Sequence, residues 1–119
     1  MKYPPIGNAA GTVKTVDEVA DLCSEPNIVT VVVGSITVEP RAGNPTPNFW
    51  EEDNKTANSL GLNNGGIPYY TEHLPTMVKL CADNSKELIV SVAGFSPEEY
   101  QTLANFCRSF GVKVVELNF

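Results

Sequence analysis

Three stretches of this chain are largely apolar and rich in β-branched residues: Ile28–Val33, Leu88–Val92 and Val112–Leu117. Near-continuous rather than alternating hydrophobicity marks strands covered on both faces, as in parallel sheets. A fourth, weaker strand is expected around Asn8–Val13. Between these runs, apolar positions recur at helical spacing. Thr15 and Glu18 form a capping box at the head of Val16, Val19, Ala20 and Cys23. Ser96-Pro97-Glu98-Glu99 supplies a cap, a proline at the first helical position and a carboxylate at the third. The helix that follows buries Tyr100, Leu103, Ala104 and Cys107, and Gly111 suits its C′ position. A third helix is predicted over Pro75–Ala82, with Leu74, Met77, Val78 and Cys81 inward, because proline belongs in a first turn.

The order is strand, helix, strand, long excursion, helix, strand, helix, strand, which implies right-handed βαβ units. An open doubly wound sheet and part of a (β/α)₈ barrel both satisfy it. No G-x-G-x-x-G follows a strand and there is no P-loop, so the barrel gains. The expected fold is α/β: the N-terminal half of a (β/α)₈ TIM barrel over residues 1–119, with about four parallel strands. The excursion from Val38 to Pro68, after the second strand, covers about thirty residues where connections usually run to about six. In a parallel barrel, loops that follow the strands build the ligand-binding face.

The 119 residues are 42% hydrophobic and 18% charged, which suits one modest domain. The longest apolar run, Ile28–Val33, is too short to span a bilayer, and the start lacks the apolar core of a signal peptide. A cytoplasmic protein without a membrane partner is the expectation. A net charge of −6 offers no basic face for nucleic acid. Three cysteines with no C-x-x-C pair read as buried free thiols rather than disulfides or a metal site. His73 is the only histidine, and nothing puts it beside a nucleophile. Glu51, Glu52 and Asp53 run consecutively, as a solvated loop does, rather than facing one another as a glycosidase pair. Glu116, within an apolar strand, calls for a partner, either Lys113 or Arg41.

Several segments together carry a resemblance. "NAAGT" (Asn8–Thr12) precedes "GSITVEPRAGNPTP" (Gly34–Pro47) and "NSLGLNNGG" (Asn58–Gly66); "SVAGFSPEEY" (Ser91–Tyr100) and "ELN" (Glu116–Asn118) follow. In order and spacing they resemble the N-terminal part of class 1 dihydroorotate dehydrogenases, from about Ile6 to the last residue. The resemblance implies an FMN-dependent oxidoreductase of pyrimidine (UMP) biosynthesis, with FMN across the barrel mouth and hydride transfer from dihydroorotate. It implies flavin contacts from Ala10, Gly11, Gly34, Ser35 and Asn118. Small side chains at Ala10 and Gly11 let backbone approach a planar ring, though a tight turn beside a core strand accounts for them equally. Substrate contacts fall on Asn58, Ser59, Leu60, Gly61, Leu62 and Asn118. Amides read the polar edge of a pyrimidine while glycine and leucine cap its face.

Two positions depart from the family pattern. Gly34 stands where the family usually has lysine, and Asn63 replaces the loop's usual proline. The catalytic cysteine base of the family is expected beyond Phe119, so no catalytic residue is assigned here. A half-barrel has open edges. The chain is therefore expected to self-associate, to meet a second chain supplying the C-terminal half, or to be a truncated product, inactive alone. The alternative is a non-catalytic half-barrel that binds orotate-like ligands or oligomerises.

Overall fold

A computed structural model describes residues 5–119. The elements run β1 (Ile6–Gly7), α1 (Val16–Cys23), β2 (Ile28–Ile36), β3 (Phe49–Glu52), β4 (Lys55–Asn58), α2 (Gly66–Asp83), β5 (Glu87–Ala93), α3 (Pro97–Ser109) and β6 (Val114–Asn118). Strands β1, β2, β5 and β6 lie in that order in one parallel sheet, a curled half-barrel as the pattern implied. β3 and β4 form a separate antiparallel hairpin within the excursion, which hydrophobic patterning did not reveal because all eight of its residues are exposed.

The helices cover one face of the sheet. In register, Val31 pairs with Leu88, Val33 with Val90, and Val90 in turn with Val115; these residues pack with the helices. Val19, Tyr70, Leu74, Met77, Leu103 and Cys107 meet them there, all fully buried. The alternate residues Val32, Ile89 and Val114 line up on the opposite, concave face. That face is less well covered, with Val114 39% exposed.

The caps formed as the sequence dictated. Thr15 Oγ1 accepts from the Glu18 amide, and Glu18 Oε1 accepts from the Thr15 amide at 3.1 Å. Ser96 caps α3 through the Glu99 amide. At the other end of α3, Gly111 has φ +84°; its amide donates to Arg108 O and that of Val112 to Cys107 O, which is a Schellman closure.

Two elements differ from expectation. The first strand is Ile6–Gly7, and Asn8–Val13 is not a strand. The Asn8 side chain takes the ladder position itself: Nδ2 donates to Val32 O and Oδ1 accepts from the Val32 amide, both at 2.7 Å. With that edge satisfied, Ala9–Thr12 is free to turn. Helix α2 spans 18 residues from Gly66 rather than starting at Pro75, which lies in its interior. Tyr70, Leu74, Met77 and Cys81 form a continuous buried stripe, and that burial outweighs the roughly 3 kcal/mol that an interior proline costs. Pro75 and Thr71, whose carbonyl loses its amide partner, are both exposed, so water reaches the gap.

Candidate functional site

At the carboxyl end of β2, a bulge sets the site. Val33 pairs with Val90 and Ile36 with Val92, so Gly34 and Ser35 together face the single residue Ser91. The extra residue keeps Ile36 in the core while turning Ser35 to the concave face. Ser35 Oγ lies 2.9 Å from Ser91 Oγ and accepts from Asn118 Nδ2 at 3.0 Å, so the chain of polar groups crosses to the end of β6. On this face, the apolar layer of Val32, Ile89 and Val114 gives way to hydroxyls and an amide toward the strand tips.

The turn after β1 is clamped onto the same place. Gly11 donates to Gly34 O at 2.8 Å, and Gly34 donates to Val13 O at 3.0 Å. Gly11 has φ +92°, and a Cβ there would meet nothing within 4 Å. Gly34 is different. Its φ is +121° and a Cβ would collide with the carbonyl of Ser91, so a side chain at position 34 requires the backbone of β2 or β5 to shift.

The excursion folds back over this end of the sheet on its own hydrogen bonds. Arg41 and Asn64 exchange backbone bonds, Asn44 donates to Leu60 O, and Ser59 donates to Asn48 O. Arg41 Nε donates to Gly61 O, and its guanidinium sits 5.0 Å from the centre of the Phe95 ring. Asn64 is the bracket. Its Oδ1 accepts from the Thr37 and Gly66 amides, while Nδ2 donates to Thr37 Oγ1 and Leu62 O. Gly61 (φ +80°) and Leu62 (φ +57°) make the left-handed bend that turns the loop back.

The result is a cleft of about 380 Å³ over the strand tips. Ala10, Gly11, Ser35 and Asn118 form its floor, and Asn58 to Leu62 its wall. Every residue expected at the site lines it except Gly34, whose backbone stands one step behind. Among the described residues no hydrogen bond engages the Asn58 side chain, which leaves an uncommitted amide at the cleft wall. Three lining residues escaped the sequence reading: Lys14, Asn44 and Asn63. Lys14 follows a buried valine and precedes the Thr15 cap, a context in which a lysine reads as ordinary surface. Burial pulls its ammonium below the usual lysine range, with Glu18 opposing that shift.

Other candidates fall away from the cleft. Cys23, Cys81 and Cys107 are free and buried in the helical layer, as expected. His73 stands on α2 beside Glu72 and the Tyr69 ring. Glu51, Glu52 and Asp53 sit at the exposed end of the β3–β4 hairpin. Glu116 pairs with neither Lys113 nor Arg41. It projects from β6, whose concave side is open to water, and solvation removes the need for a partner. No group of acidic, histidine or cysteine residues able to hold a metal occurs among the described residues. No helix there is long and apolar enough to cross a membrane.

A parallel β/α half-barrel with a polar-edged cleft at the carboxyl tips of its strands is the ligand end of a TIM-barrel protein. Comparison with known proteins narrows this: the profile described as dihydroorotate dehydrogenase matches residues 2–119, and the chain belongs to that family. The catalytic subunit of dihydroorotate dehydrogenase B (NAD(+)) from Desulforamulus reducens is 34% identical over 96% of this chain and 37% of its own length. The subunit of the same name from Carboxydothermus hydrogenoformans is 36% identical, over 96% and 36%. Dihydroorotate dehydrogenase A (fumarate) from Limosilactobacillus reuteri is 37% identical, over 96% and 37%. The chain thus spans little more than a third of the length of these curated relatives.

Proposed function

We propose that this chain forms the first half of the catalytic barrel of a flavin-dependent dihydroorotate dehydrogenase acting in pyrimidine biosynthesis. The observation that carries the reading is the convergence of the Ala10–Gly11 turn, Ser35, the Asn58–Leu62 wall and Asn118 on one cleft. A volume of about 380 Å³ accommodates a pyrimidine and the rim of a larger ring system.

The residues present fit the edge of FMN. Gly11 offers backbone with open space beside it, and Ser35 and Asn118 would offer a hydroxyl and an amide to the flavin ring. In a loaded barrel the flavin supplies the hydride acceptor. Asn58 pairs with the substrate's ring N–H and C=O groups, which need a donor and an acceptor side by side. Leu60 and Leu62 exclude water from the ring face while the bend at Gly61 keeps the wall close. Proton removal from dihydroorotate needs a base from outside these residues, since no thiol, imidazole or carboxylate lines the cleft and its one amine, Lys14, is tied to Asn63 by two hydrogen bonds. The isolated chain therefore does not turn over. Its edges at β1 and β6, with Leu117 48% and Phe119 97% exposed, suit pairing with the remaining half of a barrel or with another copy.

Anaerobic addition of dihydroorotate to the complete, flavin-loaded protein tests the reading. Bleaching of the visible flavin band, reversed on adding an oxidant, is expected. A colourless protein, or a flavin band indifferent to dihydroorotate, would overturn it.

A further inference from the structure

The charge of the cleft is opposite to that of the molecule. The chain carries a net −6, yet no aspartate or glutamate lines the cleft, and its one ionisable lining group is Lys14. Glu18 acts on that ammonium from the helix side, and Glu116 stands lower on the same face of the sheet. Neither lines the cleft, so the one charge presented to a ligand is positive and favours an anion.

Lys14 is also held in place. Its amide donates to Glu18 Oε1 at 3.2 Å and its carbonyl accepts from the fully buried Tyr70 hydroxyl at 2.8 Å. Across the cleft, Nζ donates to Asn63 O at 2.7 Å and to Asn63 Oδ1 at 2.8 Å. An ammonium has three donors, so one stays uncommitted. The other nearby cation, Arg41, donates from Nε to Gly61 O, lies over the Phe95 ring and does not line the cleft.

From this juxtaposition we infer that Lys14 is the anion-reading group of the cleft, its ammonium held ready by Asn63 to take the carboxylate of a flat, orotate-like ligand. The inference rests on the functional reading above and adds to it the residue that separates acids from neutral pyrimidines. Position 34 at the same strand tip carries no side chain here, and the neighbouring turn, clamped to Gly34 through Gly11 and Val13, brings a charge to the cleft.

The test compares affinities for orotate and for its neutral methyl ester in the complete, flavin-loaded protein. Lys14→Gln removes the charge and keeps a polar side chain with an N–H donor. Hydrogen bonds to charged groups are worth about 1.5–3 kcal/mol, so Lys14→Gln should weaken orotate by about 10- to 100-fold. Ester affinity, flavin content and melting temperature should stay at wild-type levels. Asn63→Ala removes the Oδ1 acceptor but leaves the Asn63 carbonyl to hold the ammonium, and so should keep the wild-type preference for orotate over the ester. Lys14→Gln binding orotate as tightly as wild type, or losing orotate and ester equally, overturns the proposal and marks Lys14 as a strap for the loop. A wild-type protein that binds neither compound overturns the functional reading itself, and the proposal with it.

Discussion

Position 34 shows how one backbone geometry constrains chemistry several residues away. With φ at +121° and the Ser91 carbonyl against the would-be Cβ, glycine alone holds this form of the β2 bulge without strain. Gly34→Ala should destabilise the protein by about 1–3 kcal/mol, read from the midpoint of chemical denaturation; a neutral substitution would mean the bulge can relax. Gly34→Lys, for the same reason, should not restore orotate preference to a Lys14→Gln protein. Asn58 makes the opposite case. Its amide has no internal partner among the described residues, so Asn58→Ala should leave the melting temperature nearly unchanged. Ligand affinity should fall by about tenfold, the worth of a typical hydrogen bond.

Among the elements, the excursion is the one whose order depends on few residues. Asn64 ties the end of β2, the Leu62 bend and the first amide of α2 with four hydrogen bonds. Asn64→Ala should cost about 2–3 kcal/mol and open the loop to limited proteolysis between Val38 and Gly66; an equally resistant loop would refute the bracket role. The helical layer carries a pH dependence of its own. Burial in apolar surroundings pushes the Cys107 thiol to about 11 from an unfolded value of 9.0. Cys81 also rises, through burial and then the adjacent Cys23, whose sulfur is 3.9 Å away. Both shifts favour the neutral thiol in the folded state. Their contribution is therefore complete below about pH 9 and is lost as pH climbs through about 11. Denaturation midpoints should fall between pH 8.5 and about 11, and less so in Cys107→Ala after allowing for its own cavity cost.

For the whole molecule, shape is the informative quantity. The radius of gyration is 14.9 Å, against about 13.5 Å for a compact domain of this length. Extents of 42 × 42 × 22 Å describe a slab, a sheet with helices on one side only. Its concave face and both edges are the surfaces a closed barrel would bury. The isolated chain should therefore run larger than 12.9 kDa in light scattering at micromolar concentration; a monodisperse monomer would argue that the open face is stable in water.

What the sequence determined by itself was whatever depends on neighbours along the chain. The Thr15–Glu18 and Ser96–Glu99 caps, the Gly111 closure and the β-branched runs all act locally, and all formed where their residues stand. The positions named by the resemblance, other than Gly34, also converge on one cleft. Tertiary structure decided the rest. Asn8 replaced a strand by pairing with Val32, twenty-four positions on, and the buried stripe on α2 carried a helix through Pro75. Lys14 became part of a cleft through Asn63, forty-nine positions away. Hydrogen bonds and burial between distant segments leave no periodicity in sequence, so only the folded chain could place them.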